Sequence, residues 1–165
     1  MEQSKITIIA AFSRLVRDKR KTLPSVAQLL TEAGIARSTL YRHFDDRTSL
    51  LVAAMHEPFE MLSTAAVEGK SSPQLVGLLD HFWNERRVAV ELLRQPSANR
   101  LARKLGEQIN AKESRLDRAD AIRIAHTQLT LLRLWLSGET PDLAADVAEK
   151  IAKSSVLQIT AFVDR

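Results

Sequence analysis

The sequence predicts an all-α protein, with a small three-helix module at the N-terminus and a larger helical bundle behind it. Two observations carry this expectation. Apolar residues recur at helical spacing through most of the chain, and no stretch alternates apolar and polar convincingly enough for a strand. Only five glycines and five prolines punctuate 165 residues, and capping residues stand at several of the breaks, which favours long helices over many strands and turns.

The elements follow in order. Ile6, Ile9, Phe12 and Val16, with Ala10 and Ser13 beside them, form a stripe of 3.6-residue period and predict a first helix, closed by the basic run at residues 17–21. Ile6 to Phe12 is apolar like the middle of a leader peptide, but it lacks a basic start, so an amphipathic helix is expected. Ser25 with Gln28 three residues on spells a capping box. It opens a second helix with Val26, Leu29, Leu30 and Ala33 inward, and Gly34 offers the left-handed conformation that closes one. A third helix is expected from about Ala36 to His43. Asp45 or Asp46 caps a fourth, over about 46–68, with Leu50, Leu51 and Ala54 as its stripe and a kink or break at Pro58.

The stretch GKSSP at residues 69–73 is the clearest linker, and Ser72-Pro73 suits the cap and first position of a helix over about 74–94. Pro96 interrupts, and another helix runs to about residue 113. A long apolar helix spans Arg118–Leu136, Gly138 ends it, and Thr140-Pro141-Asp142 restarts the chain into a final helix to about Val163. The expected division is a module at residues 1–50 and a body at 51–165, joined by the fourth helix.

Charge is distributed unevenly. Residues 1–56 carry nine Lys/Arg against five acids, a net +4, whereas residues 57–165 carry 15 of each sign. The excess in the first third fits a segment that touches a polyanion; a solvated charged face is the alternative. The chain has no cysteine, which excludes a disulfide framework, a Cys-based zinc site and a thiol nucleophile, and fits a reducing, cytoplasmic compartment. No apolar run approaches the ~20 residues of a membrane span, so no membrane partner is expected.

Two short helices joined through Gly34 form a helix-turn-helix pattern, in which the second helix enters the DNA major groove and the first braces it. At 100° per residue, Leu40 and Phe44 face inward, Ser38 and Arg42 point nearly opposite, and Thr39 and Tyr41 flank them. Arg37 stands on the first turn. An arginine can bond a guanine edge with two hydrogen bonds, while Ser25, Thr39, Tyr41, His43 and Arg47 can bond phosphate oxygens and set the register. The expected DNA-binding set is therefore Ser25, Arg37, Ser38, Thr39, Tyr41, Arg42, His43 and Arg47, on double-stranded DNA.

The stretch TEAGIARSTLYRHFDDRTSLL, residues 31–51, resembles the DNA-binding signature of TetR-type bacterial transcriptional regulators. The matching residues are Ala33, Gly34, Thr39, Leu40, Tyr41, His43, Phe44, Arg47 and Leu50. The resemblance covers residues 5–55, about a third of the chain. Ala36 stands where the family usually has a capping serine, Leu30 where it has alanine, and the loop at residues 17–24 is more basic and lacks the usual glycine. The resemblance implies a homodimer reading a near-palindromic operator, and a helical body that dimerises and often holds a small-molecule effector whose binding releases DNA.

The body suggests dimerisation on its own terms. In Arg118–Leu136, Ile122, Ala125, Leu129, Leu132 and Leu136 form one stripe, and Ile124, Gln128, Leu131 and Trp135 form a second. A helix with two apolar sides needs partners on both, which a bundle shared with the final helix of a second copy would supply. Burial of both stripes within one chain is the alternative. Candidate effector-pocket residues are Phe82, Trp83, Arg86, His126, Leu129 and Arg133. The plainer reading is that both arginines reach solvent or an acid and that His126 is a satisfied histidine. No nucleophile–base order, carboxylate pair, metal-ligand spacing or phosphate loop stands out, and no cofactor is expected. The sequence therefore reads as a DNA-binding transcriptional regulator, a repressor by the resemblance. The alternatives are a helical interaction module without DNA binding and, last, a small helical enzyme.

Overall fold

A computed structural model describes residues 2–17, 23–94 and 96–164, apart from the side chain of Arg17. Lys19, Arg20 and Lys21 of the basic run lie outside the described residues. Among the described residues every regular element is a helix: α1 Glu2–Arg17, α2 Val26–Ala33, α3 Arg37–His43, α4 Arg47–Ala54, α5 His56–Glu68, α6 Pro73–Asn84, α7 Arg86–Leu92, α8 Ser97–Lys112, α9 Arg118–Leu136 and α10 Ala144–Val163. None is long and apolar enough to cross a membrane. The chain divides into two compact units, Met1–His56 and Glu57–Arg165.

In the N-terminal unit α1 packs against α2, α3 and α4. Its buried face is Ile8, Ala11, Phe12 and Leu15, not the Ile6–Ile9–Phe12–Val16 stripe; Ile6 is 53% exposed. Both stripes have helical period, so periodicity alone cannot choose between them. A bond from Arg14 Nε to Glu32 Oε1, 2.8 Å, ties α1 to α2. The caps are those the sequence spells. Ser25 Oγ accepts from the Gln28 N–H at 3.2 Å while the Ser25 N–H donates to Gln28 Oε1 at 2.9 Å. Asp46 Oδ1 accepts from the Ser49 N–H at 2.7 Å to start α4. Gly34, at φ 64°, closes α2 in the left-handed region, where a side chain would be strained.

Two helices end earlier than expected. The fourth does not run on to a kink at Pro58: α4 stops at Ala54 and α5 starts at His56. Pro58 has no N–H to give the Ala54 carbonyl, and its ring would crowd that carbonyl in a continuous helix. Ending α4 at Ala54 places the proline in the first turn of α5, where neither matters. The helix over 74–94 is also two, α6 and α7, turning at Glu85. Leu79 and Val88 are both buried. Nine residues of straight helix would set them about 180° apart, so the turn returns Val88 to the core. Ser72 Oγ, accepting from the Leu75 N–H at 3.1 Å, caps α6 with Pro73 at its first position.

In the C-terminal unit α9 packs on α7, α8 and α10, and α6 packs on α10. Ala125, Leu129, Leu132 and Leu136 of the first α9 stripe and Ile124, Gln128 and Trp135 of the second are buried by this one chain; Ile122 and Leu131 are partly exposed. The two-sided apolar character is thus mostly satisfied internally. Gln128 Nε2 donates to the Leu62 carbonyl at 3.2 Å and to Ser155 Oγ at 2.9 Å, tying α9 to α5 and α10. Gly106 lets α8 lie against the α9 backbone: a Cβ there would meet Ile122 Cα at 2.9 Å.

Candidate nucleic-acid interface

The site is built on α3, seven residues long and far below the ~12–15 at which an isolated helix becomes marginally stable in water. Packing must hold it. Leu40 and Phe44 are each 4% exposed and anchor it in the unit's core. The Phe44 N–H donates to the Leu40 carbonyl at 3.0 Å and ends the helix. Ala36 occupies the N-cap with extended backbone but makes no side-chain cap bond. The opposite face is open. Ser38 and Arg42 are exposed there, Tyr41 flanks them at 47% exposed and Thr39 is partly covered, while Arg37 is exposed on the first turn. Arg37 and Arg42 lie within one helix of each other in sequence and make no ion pair with a described residue.

The remaining members of the expected set differ in character. Ser25 is exposed at the start of α2; its oxygen accepts the cap bond, leaving the hydroxyl proton free to be donated. Arg47 is exposed at the first position of α4. His43 is half-buried: its ring lies 6.5 Å from that of Phe44, and its Nε2 is enclosed without a hydrogen-bond partner among the described residues. It packs where Arg42 and Tyr41 reach outward. Polar groups able to bond bases and phosphates therefore share the outer side of α3 and the starts of α2 and α4, while the apolar residues between them point in.

The effector candidates are placed differently. Trp83 stacks on Trp135, centroids 5.1 Å apart and planes at 27°, and the Arg86 guanidinium lies 4.9 Å over the Trp83 ring. Trp135 Nε1 donates to the Asp142 carbonyl at 2.9 Å. Two of the six candidates thus belong to a packed aromatic layer with a cation–π lid. Leu129 is core, Phe82 and His126 are half-buried, and Arg133 lies 3.8 Å from Glu139, the acid partner of the plainer reading. Pairing of the chain's two tryptophans had no local signal, since they are distant in sequence.

A pocket does occur in the N-terminal unit, at the base of α3. Its volume is about 240 Å³, and Phe12, Leu29, Leu40, Phe44 and Leu50 form its apolar wall. None of the six candidates lines it. Compared with known protein-family models the chain matches none, and no curated protein matches it.

Proposed function

We propose that the chain is a sequence-specific, double-stranded-DNA-binding transcriptional regulator, with α2 and α3 as its helix-turn-helix and α3 as the reading helix. One observation carries this reading: α3 is anchored by Leu40 and Phe44 while Ser38 and Arg42 stand exposed on its other side, Tyr41 flanks them and Arg37 is exposed on the first turn. Spare donors on a seven-residue helix contribute little to folding, but they suit a groove that presents guanine acceptors and flanking phosphates. The net +4 of residues 1–56 supports the same reading by favouring encounter with a polyanion. So does the TetR-type signature at residues 31–51. On this reading Arg42 bonds a base edge, Tyr41, Thr39, Ser25 and Arg47 bond phosphates, and His43 positions the end of the helix. A homodimer would set two such helices about one duplex turn, ~34 Å, apart on a near-palindromic operator.

Selection from random duplex DNA tests this directly. An enriched, near-palindromic sequence is expected, bound with an affinity that falls steeply as salt rises. Arg42→Ala should then cost ~1–3 kcal/mol on the selected sequence and relax choice at one position per half-site, while Tyr41→Phe should weaken all sequences alike. Enrichment of nothing, or an Arg42→Ala variant that binds the selected sequence as tightly as the parent, refutes the reading.

A further inference from the structure

We propose that the N-terminal unit holds its own small-molecule site beneath Tyr41, that the site takes a compact aromatic cation, and that occupancy opposes DNA binding. The site itself stands apart from the DNA reading; only its regulatory consequence rests on that reading.

The pocket at the base of α3 has an apolar wall and a charged mouth. Its volume of about 240 Å³ exceeds the ~150 Å³ that admits benzene, and suits a fused two-ring body. Tyr41, Asp45, Asp46 and Arg47 stand at the mouth. Asp46 is occupied in capping α4 through the Ser49 N–H, and Arg47 also has an interaction within the protein. Asp45 is exposed and has no partner among the described residues. The pocket is thus lined by two carboxylates against one guanidinium, and this excess of negative charge complements a cationic end on an apolar ligand.

The pocket touches what holds the reading helix. Leu40 and Phe44, the two anchors of the uncapped α3, are its walls, and Tyr41 forms its rim. A molecule seated there uses the Tyr41 ring as a wall and draws the hydroxyl away from phosphate. The coupling is reciprocal: whatever factor the ligand takes from DNA affinity, DNA takes from ligand affinity.

The test uses the full chain and two probes with the same rings and opposite charge, 1-naphthylmethylammonium and 1-naphthoate, followed by NMR without DNA. The cation should give saturable shifts at Leu29, Leu40 and Phe44, binding ~2–5-fold more tightly than the anion, as an exposed ion pair allows. Asp45→Asn, an exposed change outside the core, should keep the fold and abolish that preference. Absent shifts, shifts confined to Glu57–Arg165, or equal affinity for both probes overturn the site. A second measurement adds duplex DNA from the selection: saturating cation should lower retention, and DNA should displace the cation. Retention unchanged by bound cation overturns the coupling while leaving the site. A chain that binds the cation but no DNA overturns the regulatory role together with the DNA reading, and again leaves the site.

Discussion

Replacing Ala36 by serine should tighten α3, the proposed reading helix, without altering the face proposed to meet DNA. Ala36 has φ −75° and ψ 154°, the extended geometry an N-cap requires, yet no side chain caps α3. Its carbonyl already accepts from the Thr39 N–H at 3.1 Å and the Leu40 N–H at 3.3 Å, so the first turn is formed. The position is exposed, so a hydroxyl can reach the N–H groups of the first turn with no backbone movement and no clash. A Ser cap over Ala contributes ~1 kcal/mol, about fivefold in the local opening equilibrium. Amide exchange from Leu40 to Phe44 should slow by about that factor where α3 opens locally. If the 56-residue unit melts separately, its midpoint should rise by ~4–8 °C. DNA affinity should rise by no more than the reciprocal of the fraction of free protein in which α3 is already formed. Unchanged or faster exchange at Leu40 and Phe44 would show that α3 opens only with its whole unit or that the cap is not the weak point, and the reasoning fails.

Four further outcomes concern the C-terminal unit. Ile159 and Leu157 are two residues apart on α10 but 5% and 70% exposed. Ile159→Glu buries an unpaired carboxylate and should unfold the unit at a cost of several kcal/mol. Leu157→Glu should keep helicity and, if the proposed dimer uses the exposed side of α10, shift it in sedimentation to monomer; a variant that stays dimeric puts the contact elsewhere. Gly106→Ala should cost ~1–3 kcal/mol in urea unfolding, because the new Cβ would lie 2.8–3.0 Å from Ile122 atoms that include backbone; unchanged stability would mean α8 and α9 are less closely packed. The Lys150 ammonium, 2.6 Å from Asp142, holds that carboxyl below its ordinary value of 3.8. The folded chain therefore binds this proton less readily than the unfolded one. The resulting stabilisation is present above the ordinary value and lost as pH falls through the folded one. Tryptophan emission during acid titration should report this, since Trp135 bonds the Asp142 carbonyl, and Lys150→Met should move the transition to higher pH.

What could be read from the sequence was local. Ser25 with Gln28, Gly34, Asp46 and Ser72-Pro73 each fix a helix end through bonds within a few residues, and each does so here. The inward face of α3 was legible because Leu40 is its only large aliphatic side chain and Phe44, four residues on, caps it on the same side. The face of α1 was not, because Ile6–Ile9–Phe12 and Ile8–Phe12–Leu15 have the same period and only packing against α2 to α4 decides between them. The turn at Glu85 has no breaker residue and depends on where the core lies. The pocket lined by Tyr41 depends on how four helices and the turns between them meet, which no single stretch encodes.

The α9 stripes bear on what a second copy could find to bind. From the sequence, a helix apolar on two sides calls for two partners, and one of them could be another chain. Here the same chain supplies both: Gln128 is bonded to α5 and α10, and Trp135 stacks on Trp83 of α6. The apolar surface left over is scattered, in the partly exposed Ile122, Leu131 and Leu134 of α9, the exposed Leu143 before α10 and the exposed Leu157 on it. Charged groups flank Leu157, with Lys153 paired to Glu149 one turn back along α10 at 2.6 Å. A stable interface typically covers about 800 Å² on each partner, more than these scattered side chains can provide. The proposed dimer must therefore recruit these charges at its rim, and its stability should fall with rising salt. A dimer formed from the deep α9 stripes would be insensitive to salt, and it would first have to open the Gln128–Ser155 contact.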